Sequence, residues 1–311
     1  MTDRRTDRSA SIRSILKGNV RAASQLLTLV QNQSSSARPI LKALFPHTGK
    51  ARLIGITGPA GAGKSTLINQ LITAFREKKQ SVGVLAVDPT SPFSGGALLG
   101  DRLRMQPHFL DRDVFIRSLA TRGAWGGLSP ALFEAIHVLD AMGKEIILIE
   151  TVGVGQDEVE IARLADVVVL VLAPGMGDEV QMMKAGLLEI GDAVVVNKGD
   201  LKEARWLYHQ LKETLSDRPL LRVIADRGEG IPALITEIEK QLETEPAPAR
   251  RRGFVREELR TLLREHLGNV IDQVSFNEKE IESVLLRRRD PYRLIRSWIK
   301  RSGVKTFSST P

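Results

Sequence analysis

Between Leu53 and Ile224 seven short aliphatic runs recur, separated by longer segments of helical spacing. They are LIGIT (53–57), VGVLAV (82–87), VFIRS (114–118), IILIE (146–150), VVVLVLA (167–173), AVVVN (193–197) and LLRVI (220–224). Near-continuous apolar strands suit a sheet covered on both faces, and intervening helices supply the crossovers that parallel strands need. The expected fold is therefore α/β, a mostly parallel sheet with helices on both faces. The longest apolar run, Val167–Ala173, is far too short to cross a membrane. No signal peptide is visible behind the charged N-terminus, so the expected address is cytoplasmic.

Two helical segments flank this region. Ile12, Ile15, Leu16, Leu26, Leu27 and Val30 fall near helical spacing, which predicts one or two amphipathic helices before the polar loop QNQSSSARP. At ETEPAPARRRG (243–253) the alternation stops in what reads as a linker. Beyond it Val255, Leu259, Leu262, Leu263, Leu267, Val270, Ile271 and Val274 trace an apolar stripe along a helical arm. The expected domains are an N-terminal helical extension (1–50), a nucleotide-binding domain (51–245) and a C-terminal arm (246–311).

Charge follows the same division. Residues 1–52 hold ten Lys/Arg against two Asp/Glu, residues 53–249 twenty against twenty-seven, and residues 250–311 fifteen against eight. The resulting +8, −7 and +7 sum to the net +8 of the chain. The basic flanks lack aromatic interleaving and any recognition motif, so neither a nucleic-acid nor a membrane partner is expected. The absence of cysteine excludes thiol catalysis, disulfide scaffolds and Fe–S clusters.

The most specific chemical signal is GPAGAGKS: Gly58, Pro59, Ala60, Gly61, Ala62, Gly63, Lys64 and Ser65, followed by Thr66. It fits the phosphate-binding pattern G-x-x-x-x-G-K-[ST] and lies between a strand and a helix, as that pattern requires. Backbone N–H groups of such a loop curl around phosphate oxygens at a helix N-terminus. Lys64 is expected to reach the β- and γ-phosphates, Ser65 to ligate Mg²⁺, and Thr66 to contact the α-phosphate.

NKGD, Asn197 to Asp200, ends the sixth run. An Asp carboxylate there accepts from both the N1–H and the exocyclic amine of guanine, a pair of donors adenine does not offer. Asn197 would hold the base edge and loop, with the Lys198 stem on the ring face. Ala225 and Asp226 stand where a base-binding loop begins, without the usual Ser-Ala pair.

ETVGVGQ (150–156) ends the fourth run. In the Asp-x-x-Gly-Gln arrangement of Ras-like proteins, Glu150 takes the place of the Asp supporting Mg²⁺, and Gly153 can offer its N–H to the γ-phosphate. Val154 replaces the glutamine that orients water, so unassisted hydrolysis is expected to be slow. Asp88 and Asp101 are either further Mg²⁺ ligands or ordinary cap and turn residues.

Together, GITGPAGAGKSTLI, AVDPTSPFSGGALLGDRLRM, FIRSLATRGAWGGLS, ETVGVGQDE and NKGD resemble the MeaB/ArgK/MMAA family of P-loop GTPases, of the SIMIBI class. The resemblance covers nearly the whole chain, including a DPY at Asp290–Tyr292. It implies a GTPase binding GTP, GDP and Mg²⁺ that gates cofactor loading and protection of an adenosylcobalamin-dependent acyl-CoA mutase, and a homodimer joined through the C-terminal arm. It also implies Lys64, Asp101, Glu150 and Gly153 as catalytic, and Ser65, Asp88, Asp101 and Glu150 as the metal set. PGMGDEVQMMK, with Gly177, Asp178, Glu179 and Lys184, resembles the family's third switch. Arg102, Arg104 and Arg122 are candidates for neutralising transition-state charge or ordinary surface arginines. Two alternatives are a metallochaperone GTPase and an ATPase or kinase serving cationic amino-acid transport.

Overall fold

The computed structural model describes residues 3–88, 105–120, 128–151, 160–175, 186–215, 218–244, 247–272, 275 and 277–301. All seven expected strands form: β1 (Arg52–Thr57), β2 (Val82–Asp88), β3 (Val114–Ala120), β4 (Ile146–Glu150), β5 (Val167–Leu172), β6 (Ala193–Val196) and β7 (Leu220–Arg222). They make one sheet in the order β3-β2-β4-β1-β5-β6-β7. Every ladder between neighbours is parallel. β4 and β5 are buried along their whole length, which is why their sequences show no polar alternation.

The described residues also form eleven α-helices: α1 (Asp3–Leu16), α2 (Val20–Gln31), α3 (Arg38–Leu44), α4 (Lys64–Glu77), α5 (Pro130–Ala141), α6 (Leu187–Ile190), α7 (Lys202–Thr214), α8 (Ile231–Thr244), α9 (Ala247–Asp272), α10 (Glu278–Leu285) and α11 (Pro291–Arg301). Leu67, Ile68, Leu71 and Phe75 of α4 and Leu234, Ile235 and Ile238 of α8 pack on one sheet face. Leu132, Phe133, Ile136 and Leu139 of α5 belong to a second core, which also takes in Ile15, Leu26, Leu27, Val30, Ile40 and Leu44 of the N-terminal helices. The first fifty residues therefore share a hydrophobic core with the sheet. Asp140 reinforces that union: its buried carboxylate accepts from the backbone N–H groups of Gly49, Lys50 and Ala51, just before β1.

The segment 243–253 departs from the linker reading. A helix resumes at Ala247 and runs to Asp272. Pro248 is tolerated because it lies in the first turn, where its missing N–H has no intrahelical partner to lose. Arg250 then grips Asp192 through Nη1 and Nη2 at 2.9 and 2.7 Å. His137 of α5 pairs with Glu258 at 2.8 Å, and the Phe254 ring packs edge-on against Phe133. The chain separates into two compact units, residues 1–261 and 262–311. In the second, Asn277 caps α10 in a reciprocal capping box with Glu280.

Candidate functional site

The site is assembled along the C-terminal ends of the strands, where an open parallel sheet binds ligands. β1 lies between β4 and β5, so the loop leaving Thr57 emerges at the middle of the sheet. Gly58 has φ +136°, and a Cβ built on it would fall 2.0 Å from the Val171 carbonyl oxygen of β5. Only glycine lets the chain turn there against the strand. Gly61 and Gly63 also take positive φ, and Gly63 caps α4 without a side-chain hydrogen bond. The first-turn N–H groups of α4 thus carry no side-chain cap from that residue, as anion binding at a helix N-terminus requires.

Pro59, Ala60, Gly61 and Ala62 complete the loop, and Lys64, Ser65 and Thr66 open α4. Lys64 is buried, and its Nζ donates to the carbonyl oxygens of Gly58 at 2.7 Å and Pro59 at 3.0 Å. This places the ammonium inside the loop's own curve. The buried Ser65 hydroxyl donates to Glu150 Oε1 at 2.7 Å, from the first turn of α4 to the end of β4. A hydroxyl and a carboxylate oxygen in contact are hard oxygen donors of the kind Mg²⁺ takes alongside substrate phosphates. The next residue, Thr151, donates from Oγ1 to Thr57 Oγ1 at 3.0 Å, so the strand ends carrying these two loops are tied by a buried bond.

Of the other expected metal and switch residues, Asp88 ends β2 beside Ala120 of β3. Asp101, Gly153, Gly177, Asp178, Glu179 and Lys184 lie outside the described residues, as do Arg102, Arg104, Arg122 and Val154. Among the described residues no group of three or more His, Asp or Glu side chains forms a metal cluster.

The second half of the site lies at the ends of β6 and β7. Asn197 is 3% exposed and makes two bonds in opposite directions. Its Nδ2 donates to the Ala62 carbonyl oxygen at 2.9 Å, and its Oδ1 accepts from the Ala225 N–H at 3.1 Å. One side chain thereby joins the phosphate loop to the loop after β7. Lys198 follows with φ +56°, exposed. The Gly199 N–H donates to Val223 O at 2.9 Å, and a Cβ there would meet Arg222 Cγ at 2.6 Å. That glycine looks incidental in the sequence, but a side chain there would have to displace Arg222 and crowd Val223 O at 3.0 Å. An open cavity of about 310 Å³ results, lined by Gly63, Thr66, Asn197, Lys198, Asp200, Ala225 and two neighbours, Leu201 and Asp226. The structure thus brings Asn197, Lys198, Asp200 and Ala225 together beside Gly63 and Thr66, 131 or more residues apart in sequence.

One participant was not singled out from the sequence. Arg227 Nη2 lies 3.5 Å from Asp200 Oδ2. Its only sequence signal is its position directly after Ala225-Asp226, in a loop whose shape depends on the glycines at 228 and 230.

Comparisons with known proteins place the chain in a family. A family model described as "Methylmalonyl Co-A mutase-associated GTPase MeaB" matches residues 23–278. A putative GTPase of Pyrococcus horikoshii is 47% identical over 297 residues, covering 90% of this chain and 94% of that protein. The mouse protein named "Methylmalonic aciduria type A homolog, mitochondrial" is 36% identical over 243 residues, covering 70% of this chain and 59% of its own length. Among solved structures, one titled as an LAO/AO transport system kinase superposes with a TM-score of 0.69 at 22% identity, covering 96% of this chain and 98% of that one; it speaks for the fold alone.

Proposed function

We propose, on the premise that the chain belongs to the MeaB family of methylmalonyl-CoA mutase-associated GTPases and is itself a GTPase, that it is a nucleotide-switched chaperone for an adenosylcobalamin-dependent acyl-CoA mutase in the cytoplasm. The observation that carries the reading is Asn197, whose two bonds make the phosphate loop and the guanine-reading turn one mechanical unit. Held as one unit, the two halves arrive prealigned, so a nucleotide spanning both binds without first ordering one against the other.

In this reading Asp200 accepts from the two donors of the guanine edge, and the exposed Lys198 stem covers the ring face. Gly58, Gly61 and Gly63 shape the backbone that receives the phosphates, and the Lys64 ammonium leaves the carbonyl oxygens of Gly58 and Pro59 for anionic phosphate oxygens. Ser65 and Glu150 would hold Mg²⁺, joined by Asp88 and Asp101. The ion would neutralise charge on the β- and γ-phosphates. With Val154 in place of the water-orienting glutamine, the isolated protein turns over slowly, and the mutase accelerates it by reordering the switches that place Asp101, Glu150 or Lys184.

The arm from residue 246 is proposed to join two copies. What supports this is the exposure of Val255, Leu259, Leu262, Leu263, Leu267 and Ile271 along α9. Burying such a set is worth about 1.5–3 kcal/mol per side chain before ordering costs. Two measurements test the reading. GTP turnover by the full chain should rise on adding a purified adenosylcobalamin-dependent acyl-CoA mutase, and unchanged turnover with no complex formed would refute the partner. Sedimentation should give a species of about 69 kDa, twice 34.3 kDa. The pair of substitutions Leu263→Glu and Leu267→Glu should return it to the monomer mass. A parent already monomeric at tens of micromolar would refute the assembly.

A further inference from the structure

We propose that Arg227 is a positioning residue for guanine recognition, holding the Asp200 carboxylate from outside the base cavity. The proposal rests on the reading of Asp200 as the acceptor of the guanine edge, and it concerns what keeps that acceptor aimed.

Asp200 sits at an exposed turn, its side chain 37% exposed. A carboxylate in that setting rotates freely about χ1 and χ2, and a base that needs both oxygens at once must first stop the rotation. In the usual Ser-Ala pair a hydroxyl stands in the neighbouring loop. Here Ile224 and Ala225 precede Asp226, so no hydroxyl is available at those positions. The Ala225 N–H is itself engaged by Asn197.

Arg227 supplies a contact from the same loop. Its Nη2 is 3.5 Å from Asp200 Oδ2, and Arg227 does not line the cavity that Asp200 lines. The guanidinium contacts one carboxylate oxygen, Oδ2, and no contact to Oδ1 is needed for the pair. A carboxylate has lone pairs to spare for this, since each oxygen accepts in two directions.

The backbone under Arg227 is set in advance. Its N–H donates to Ile224 O at 3.0 Å, and the Ile224 N–H donates to Glu229 O at 3.0 Å. Gly228 and Gly230 take φ of +72° and +82°, and a Cβ on Gly230 would lie 2.6 Å from Arg222 O. This tight loop presents the Arg227 backbone at a defined place, from which its side chain reaches Asp200. The cavity lining carries two carboxylates, Asp200 and Asp226, and Arg227 places a positive charge beside the first of them.

The effect expected of a pair this exposed is modest. About 0.2–1 kcal/mol corresponds to about a 1.5- to 5-fold change in affinity. The test uses the full chain and competition for a fluorescent GDP analogue by GDP, IDP and ADP. IDP lacks the exocyclic amine and engages only one carboxylate oxygen.

Arg227→Ala should weaken GDP by about 1.5- to 5-fold and IDP by less, lowering the GDP:IDP preference. Arg227→Lys should restore part of the loss. In an Asp200→Asn background the Arg227→Ala effect should vanish, because its partner charge is gone. Equal weakening of GDP and IDP, an undiminished effect in the Asp200→Asn background, or tighter GDP binding would each overturn the proposal. Failure of the parent to prefer GDP over ADP is a different outcome: it refutes the reading of Asp200 itself, and the role of Arg227 falls with it.

Discussion

Replacing Asn197 by alanine isolates the join between the two halves of the site. The change removes the donor to Ala62 O at 2.9 Å and the acceptor for Ala225 N–H at 3.1 Å. Both backbone partners belong to buried residues, Ala62 at 0% and Ala225 at 2% exposure. A buried polar group left without a partner costs about 1–3 kcal/mol, so two such groups set a range of about 2–6 kcal/mol. The space vacated adjoins the open base cavity, which lets water reach the orphaned groups and favours the lower half, about 2–3 kcal/mol. Urea unfolding of the nucleotide-free protein reads this directly, as a fall in midpoint with an unchanged slope. GDP affinity should drop as well, because the phosphate loop and the base turn no longer arrive prealigned. An Asn197→Ala protein with an unfolding midpoint equal to the parent's would refute the claim that this side chain is a strut.

Three further outcomes follow from other positions. Gly58→Ala forces a Cβ to within 2.0 Å of Val171 O and a non-glycine into φ +136°, so it should cost more than about 3 kcal/mol and be visible as loss of folded protein on expression. Asp200→Asn turns an acceptor into a donor facing guanine N1–H and should weaken GDP by about 2–4 kcal/mol, while Lys64→Ala should abolish hydrolysis without moving base preference; competition with ADP and a turnover assay check the two. Burial holds the His108 imidazole below its ordinary value of 6.5, outweighing the opposing influence of its bond to Asn69 O and of Asp111. Its neutral form is favoured in the fold, so the stability it contributes is complete above pH 6.5 and lost as pH falls through the lowered value; His108→Gln should flatten that acid-side slope in unfolding measurements.

The sheet was legible because its strands announce themselves by composition. Runs such as VVVLVLA and IILIE are buried at every residue, as strands covered on both faces must be. The phosphate loop was legible for a related reason, since its glycines answer a backbone demand that alanine cannot meet. The segment 243–253 misled because its proline and arginines look like a linker locally. Its helix is tied down by a partner distant in sequence, Asp192, 58 residues away, which Arg250 grips with both nitrogens. Asp140 is a similar case. A carboxylate in the apolar helix PALFEAIHVLDA is an anomaly that could have been noticed, but its three backbone donors at residues 49–51 become visible only when α5 is laid beside the entry to β1.

Gly199 and Arg227 show where the same limit touches the site itself. The x position of Asn-Lys-x-Asp carries no chemistry, so a sequence comparison passes over it, yet a Cβ there would press on the Arg222 side chain and on Val223 O. The requirement comes from β7, which the turn must overlie for Asn197 to reach Ala225. Arg227 comes from that same loop and meets Asp200 across it. The base turn after β6 is thus held by the segment after β7 at three successive points: Asn197 by Ala225, Gly199 by Val223, and Asp200 by Arg227. On the proposed reading of Asp200, guanine selectivity is a property of two loops acting together. A substitution in the second loop that leaves every residue of the motif intact should still change which base is bound.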